Sequence, residues 1–249
     1  MNTDLITIKM GTKKSTLKIL LIIAGYILIL TVSCKKSDNG SPNIDHTGET
    51  GTVTDIDGNV YNTIGIGSQI WMVQNLNVTH YRNSNAIDTV TDNTAWNNRT
   101  SGACCNYDNF LGYSTTYGKL YNWHAVNDSR NIAPAGWHVP TREEWDILND
   151  FAGGKAIAGS KLKETGITHW ISDNTDATNE YGFQGLPGGW RLNMGDFFYI
   201  HEKGFWWTKS NDYLPGGFAY SYGLDKDSTS ITRYATIQNF GLSVKCVKD

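Results

Sequence analysis

The chain has 249 residues, nine of them Trp and thirteen Tyr, with 18% charged side chains and a formal charge of −3. It lacks the basic excess that neutralises phosphates or adsorbs to anionic lipid. This excludes nucleic acid as a partner and excludes charge as the route to a membrane.

The first 33 residues read as an export signal. Lys9, Lys13, Lys14 and Lys18 precede the apolar run Ile19 to Leu30, and "TVSC" follows. A basic start, a short apolar stretch and small residues before a cleavage point are the parts of such a signal. The run is shorter than the roughly 18–20 residues a spanning helix needs. Translation begins at Met1 or at Met10, whose continuation "GTKKSTLKILLI" is the more typical opening. Residues 1–33 hold four of the 21 basic and one of the 24 acidic side chains, which leaves 17 against 23, a formal charge of −6.

Cys34 is followed by "KKSDNGSPN", so residues 34–50 read as a polar, flexible tether. The arrangement resembles a bacterial lipoprotein signal, in which the cysteine is lipidated and becomes the new N-terminus. It departs from that pattern at Thr31, where Leu is usual, with Leu30 one step further back. The resemblance implies membrane attachment through acyl chains on Cys34, each buried methylene contributing about 0.8 kcal/mol.

Residues 51–249 suffice for one domain with a full core. "TVTDIDGNVYNTIGIGSQIWM" predicts a meander of two hairpins, turning at Asp57-Gly58-Asn59 and at Gly67-Ser68. Asp55, Asp57 and Asn59 belong to a turn, because an EF-hand loop places its glycine later and ends on glutamate. From Arg82 to Tyr117 the sequence is polar and irregular, and a loop of that length is functional or tied down by a bridge. "LYNWHAV", Leu120 to Val126, fits a buried strand or a short helix.

"APAGWHVPTREEW" gathers His138, Glu143 and Glu144 into what looks like acid–base machinery. Thr141 and Glu144, however, stand at the capping-box spacing, and both glutamates lie at the positive end of a helix dipole. Pro140 and Trp145 take the staple positions. Ile147, Leu148, Phe151 and Ala152 continue an apolar stripe until Gly153-Gly154 stops the helix. This stretch predicts a helix start, with His138 packed or capping. The last third predicts strands: "GFWWTKS", "GGFAYSYGLD" and "GLSVKCV" alternate between Gly-rich turns. Phe218, Tyr220, Tyr222 and Leu224 share a core face, Leu242, Val244 and Cys246 share another, and Trp206 and Trp207 point oppositely, leaving one of them accessible.

Beyond Cys34 the cysteines are Cys104, Cys105 and Cys246, an odd number. Adjacent cysteines bond poorly to each other. In an exported chain this predicts a bridge from Cys246 to one of the pair, with Cys105 taken as the partner; three buried thiols are the alternative. No Cys/His spacing suggests zinc.

Taken in order, "DIDGNVYNTIGIGSQIWMVQNL", "YGKLYNWHAV", "PAGWHVPTREEWDIL", "GSKLKETGITHW", "ATNEYGFQGLPGGWR", "GFWWTKS" and "YGLDKDSTS…GLSVKCVKD" resemble the Fibrobacter succinogenes major paralogous domain over residues 51–249. "GWHVPTREEW" is also similar to a segment of sulfatase-modifying-factor domains. The resemblance implies an α+β, C-type-lectin-like fold: a few helices around small, twisted antiparallel sheets with long loops. It implies an exported module, an outer-membrane or cell-surface lipoprotein with the periplasmic side as an option, for which adhesion or glycan binding is the usual suspicion. Family members often carry a cysteine where this chain has Ala133, so Cys104 or Cys105 would substitute as partner of Cys246.

The sequence-based expectation is therefore a lipid-anchored, non-catalytic binding module for glycan or another surface polymer. Its alternatives are a carbohydrate-active enzyme and a protein-interaction part of an envelope assembly, the last using the loop around Trp96 to Tyr113. Sugar sites stack a pyranose on an aromatic face and bond its hydroxyls with polar side chains. The candidates are Trp170, Asp173, Asp176, Asn179, Glu180, Trp190 and Arg191. No cofactor is required, with Ca²⁺ on Asp173, Asp176 and Glu180 as an option, although their spacing matches no standard calcium loop. The lectin signatures "EPN", "QPD" and "WND" are absent. Only Cys246 lies late in the chain, whereas cysteine-oxidising relatives use two closely spaced cysteines there. Glu164 and Glu180 could be nominated for glycoside hydrolysis, but nothing in the sequence places them together.

Overall fold

The computed structural model describes residues 44–209 and 214–249; the stretch read as an export signal, both candidate starts, Cys34 and the residues read as a tether up to 43 lie outside the described residues. The described structure begins before the predicted domain boundary. His46 N–H bonds the Gly67 carbonyl at 2.7 Å and Gly48 N–H the Gly65 carbonyl at 3.0 Å, which ties residues 46–48 to the first hairpins.

Strands β1 (Thr50–Thr54), β2 (Val60–Ile66) and β3 (Gln69–Met72) form the predicted meander. The first turn is organised by Asp55, whose carboxylate accepts from Asp57 N, Asn59 N, Asn59 Nδ2 and the Tyr61 hydroxyl. The second uses Gly67 at φ +58°.

The segment read as an irregular loop holds short elements instead: β4 (Asp88–Thr89), α1 (Asn93–Asn97), β5 (Ala103–Cys105), a 3-10 turn at Tyr107–Asn109 and α2 (Leu111–Tyr117). Leu120 to Val126 satisfies both readings in succession, as β6 (Leu120–Tyr121) and α3 (Trp123–Val126), with the Asn122 side chain capping the helix. After β7 (Trp137–His138) comes α4 (Arg142–Phe151), which carries the full capping box between Thr141 and Glu144. Then follow α5 (Ala158–Leu162), β8 (Gly188–Arg191), β9 (Phe197–Ile200), β10 (Lys203–Trp207), β11 (Phe218–Asp225), β12 (Ile231–Ile237) and β13 (Val247–Lys248).

Three small sheets result, in the orders β1-β2-β3-β13-β7, β12-β11-β10-β8-β9 and β4-β5-β6. Their pairings are antiparallel except β4 with β5 and β8 with β10. This is the expected α+β arrangement, with short helices around small sheets.

The second sheet is the spine, and its two faces differ. On one, Trp206, Tyr222, Leu224 and Ile231 pack with Trp145 and Leu148 of α4 and Ala158 and Leu162 of α5. Trp145 stacks on Tyr222 with centroids 5.1 Å apart and planes at 15°. On the other, Phe205, Trp207 and Ala219 join the core built on Met72, Tyr121 and Val244. Both Trp206 and Trp207 are therefore buried, and neither is the accessible indole expected of the pair. The helix stripe also divides: Leu148 and Ala152 fill the core, while Ile147 and Phe151 face outward.

Cys104, Cys105 and Cys246 are free and fully buried, which overturns the expected Cys105–Cys246 bridge. The two belong to different core clusters, Cys246 to the one that holds Tyr61 and Cys105 to the one that holds Trp96. Burial raises all three thiols, Cys105 to about 12, so none is a ready thiolate.

Candidate functional site

The candidate ligand residues do not converge on one surface. Trp170 is sealed in the second core, its indole N–H donating to the Gly185 carbonyl at 3.1 Å. Arg191 is fully buried as well. Its guanidinium donates to the carbonyls of Gly195 (3.1 Å), Val90 (2.6 Å) and Thr91 (2.9 Å) and to Asn93 Oδ1 (2.9 Å), and lies 4.4 Å from the Trp96 ring. Its two terminal nitrogens tie β8 to residues 90–93, and its Nε closes the turn after β8 onto Gly195. Neither residue can meet a ligand, which corrects both assignments.

Asp173, Asp176 and Glu180 do reach solvent, but as turn and counter-charge residues. Asp173, Asp176 and Asn179 take φ of +83°, +51° and +47°, the left-handed region that Asp and Asn tolerate best. The Asn179 side chain accepts from Gln184 N at 2.8 Å, and Glu180 pairs with Lys161 at 3.1 Å. No group of three or more His, Cys, Asp or Glu among the described residues is placed to hold a metal.

An internal cation organises this loop. The Lys163 ammonium is fully buried and donates to the carbonyls of Ser228 (2.9 Å), Thr175 and Asp225 (3.0 Å each) and Lys226 (3.4 Å). Burial pulls it down to about 8, against the pull of Asp225, Asp176 and Asp227. The acids around it offset an ammonium, and the loop is pinned to the β11–β12 turn.

His138 shows what the acid–base trio does. Its Nε2 meets Glu144 Oε1 at 2.7 Å and its Nδ1 meets Asp249 Oδ1 at 2.6 Å. Only an imidazolium donates from both nitrogens. The hydrogen bond to Glu144 raises it first, burial opposes, and Asp249 raises it further. The histidine joins the helix cap to the last residue of the chain. Glu164 is likewise committed, to His169 Nδ1 at 2.8 Å, so Glu164 and Glu180 each have a separate cationic or imidazole partner.

Trp190 is the candidate that reaches a usable surface. It lies on the face of the second sheet opposite α4, stacked on Phe205 with centroids 4.2 Å apart and planes at 16°. Tyr199 and Phe240 each meet its edges at 5.4 Å, and Tyr234 meets Phe205 at 5.8 Å. Phe198 and Tyr199 remain 45% and 39% exposed. Lys203 lies 5.0 Å from the Tyr199 ring and pairs with Asp225 at 2.6 Å, giving the aromatic strip a polar rim.

The backbone is shaped for this. Gly189 takes φ +62°, and a Cβ there would lie 2.5 Å from the Phe198 carbonyl, so only glycine lets β8 approach β9 this closely. Tyr199 and His201 also take positive φ, +67° and +68°, which breaks the alternation of β9 at Tyr199. Sequence reasoning found Trp190 and missed Tyr199, Phe198 and Tyr234. The signal was present in "FFY": three consecutive aromatics on a short strand must leave at least one facing outward.

A family model described as the Fibrobacter succinogenes major domain matches residues 64–248, three-quarters of the chain. The chain belongs to that family. No curated protein and no solved structure matches it. In this Fibrobacter succinogenes major domain the matched stretch contains the capped helix, the Lys163 loop, the aromatic strip and the closing strand β13, and leaves out β1.

Proposed function

We propose that the protein is a lipid-anchored module of the bacterial cell envelope that binds glycan or another surface polymer without transforming it. The observation that carries this reading is the strip of the exposed Tyr199 and the partly buried Trp190 and Tyr234, with its Lys203–Asp225 rim. Flat aromatic faces beside hydrogen-bonding groups are the surface a pyranose stacks on. A rigid sheet holds the rings in place, which spares a ligand the cost of ordering them. The likeness to C-type-lectin-like domains read in the sequence fits a binding role of this kind.

The anchor rests on the sequence around Cys34 and places the module on the outer membrane or cell surface, facing the medium or the periplasm. Binding proceeds without a metal and the protein performs no hydrolysis. The separate commitments of Glu164 and Glu180 support the second point, since a glycosidase needs two carboxylates facing one bond. Envelope protein is the second class of partner, favoured by Phe110 and Leu111, both well exposed at the start of α2.

Glycan arrays and retention on insoluble polysaccharides test the reading. Binding should persist in EDTA and disappear in a Trp190→Ala, Tyr199→Ala double variant that keeps its circular dichroism. Absence of any glycan binder at millimolar site concentration removes it, and capture of an envelope protein dependent on Phe110 and Leu111 replaces it.

A further inference from the structure

Ile147 and Phe151 stand one turn apart on α4 and remain 47% and 41% exposed, although Leu148 and Ala152 beside them are buried. Ile44, the first described residue, is 59% exposed and lines a shallow depression of about 330 Å³ with these two, Asp45, Gly67 and Ser68. The depression is built: a Cβ on Gly67 would lie 2.7 Å from the Phe151 ring, and Phe151 meets Tyr181 at 5.2 Å. Single exposed apolar residues need no explanation, but three large ones around one hollow mark a contact surface.

The chain itself indicates what covers it. Ten residues lead from Cys34 to Ile44 and span at most about 35 Å when extended. A domain of this size is about 40 Å across. A lipid on Cys34 therefore keeps the root of the tether, and this hollow with it, close to the bilayer. Tethering also holds the surface at an effective concentration of about millimolar, so weak docking is enough. Asp45 beside the hollow and Glu143 and Asp150 on α4 are exposed, so the surface suits zwitterionic rather than anionic lipid.

We infer that Ile44, Ile147 and Phe151 rest on the headgroup–acyl boundary of the membrane that holds the anchor. The inference rests on the lipid anchor proposed above and adds an orientation. α4 packs on one face of the second sheet and the aromatic strip lies on the other, so docking by α4 turns the strip away from the bilayer.

The test uses the full lipoprotein in phosphatidylcholine vesicles doped with a lipid that carries a diazirine in its acyl chain. After photolysis, lipid adducts are mapped by mass spectrometry, and the mass of the Cys34 peptide reports acylation in the same sample. Adducts should concentrate on Ile44, Ile147 and Phe151, be lost in Phe151→Asp, and diminish when phosphatidylglycerol is added. Adducts spread evenly over the surface, or found on Phe198 and Tyr199, overturn the inference. Should Cys34 prove unacylated, the anchor fails on its own, and a Cys34→Ser variant held by an N-terminal histidine tag on nickel-chelating lipid gives the same two outcomes for docking.

Discussion

Trp190 lies flat on Phe205, and that pairing turns a buried strand into the floor of an open surface. Phe205 is sealed beneath it, while Tyr199 stands against the Trp190 edge with its own ring partly in solvent. The energetics of the strip therefore separate into a support and a contact. Tyr199→Ala should lower glycan affinity about tenfold, the equivalent of about 1.4 kcal/mol, and leave the urea midpoint nearly unchanged. Phe205→Ala should instead destabilise the fold by about 3 kcal/mol or more, because it opens a cavity in the core. Calorimetric titration and urea unfolding of the two variants separate these outcomes.

Arg191 has four hydrogen-bond acceptors and no carboxylate among them. Arg191→Met would take from the buried Val90 carbonyl the donor it meets at 2.6 Å, at about 1–3 kcal/mol. Arg191→Lys should rescue little, since an ammonium cannot reproduce the planar fork. A lower urea midpoint at constant m value in both variants is the expected reading.

The three domain thiols should be inert to Ellman's reagent in the folded protein and titrate together after denaturation. Oxidising and reducing buffers should give the same unfolding midpoint. A midpoint raised by oxidation would mean that a bridge does form.

His138 and Lys163 give stability opposite dependences on pH. His138 holds its proton in the folded state above its ordinary 6.5, so its bonds to Glu144 and Asp249 contribute fully below pH 6.5. That contribution, no more than about 1 kcal/mol for half-exposed partners, is lost as pH rises through the folded value. His138→Gln should flatten this decline in a series of urea unfolding curves taken from pH 5 to pH 8.

Lys163 titrates near 8 in the fold and at 10.5 when unfolded. Between those values the unfolded chain binds more protons, so stability rises with pH; below 8 both states carry the proton and the cost of burial is constant. Lys163→Met should remove the rise between pH 8 and 10 in unfolding curves. A rise of unchanged slope in that variant would assign it to another group, with Lys245, pulled down to about 7 by burial, the first to examine.

Local chemistry was legible in the sequence and side-chain destination was not. The helix start at Thr141–Glu144 could be read because a capping box needs only four adjacent residues. The hairpin turns at Asp57-Gly58-Asn59 and Gly67-Ser68 were readable for the same reason. Trp170 and Arg191 resembled ligand residues because burial is decided by partners more than 10 residues away, Gly185 for one and Val90 for the other. Of the strip only Trp190 was read: "FFY" signals that one aromatic faces outward, but which one is set by the positive φ at Tyr199. The Arg82–Tyr117 stretch read as an irregular loop because its short elements are held by distant donors, such as the Arg191 guanidinium.

Strand β13 runs between β3 and β7, so the first sheet stays in two pieces until Val247 and Lys248 arrive. Closing this seam needs a pairing between segments far apart in sequence, Trp71 with Val247. The pairing of Val247 with both Trp71 and His138 is therefore a single late bolt, and loss of the final strand would part the sheet into β1-β2-β3 and an unpaired β7.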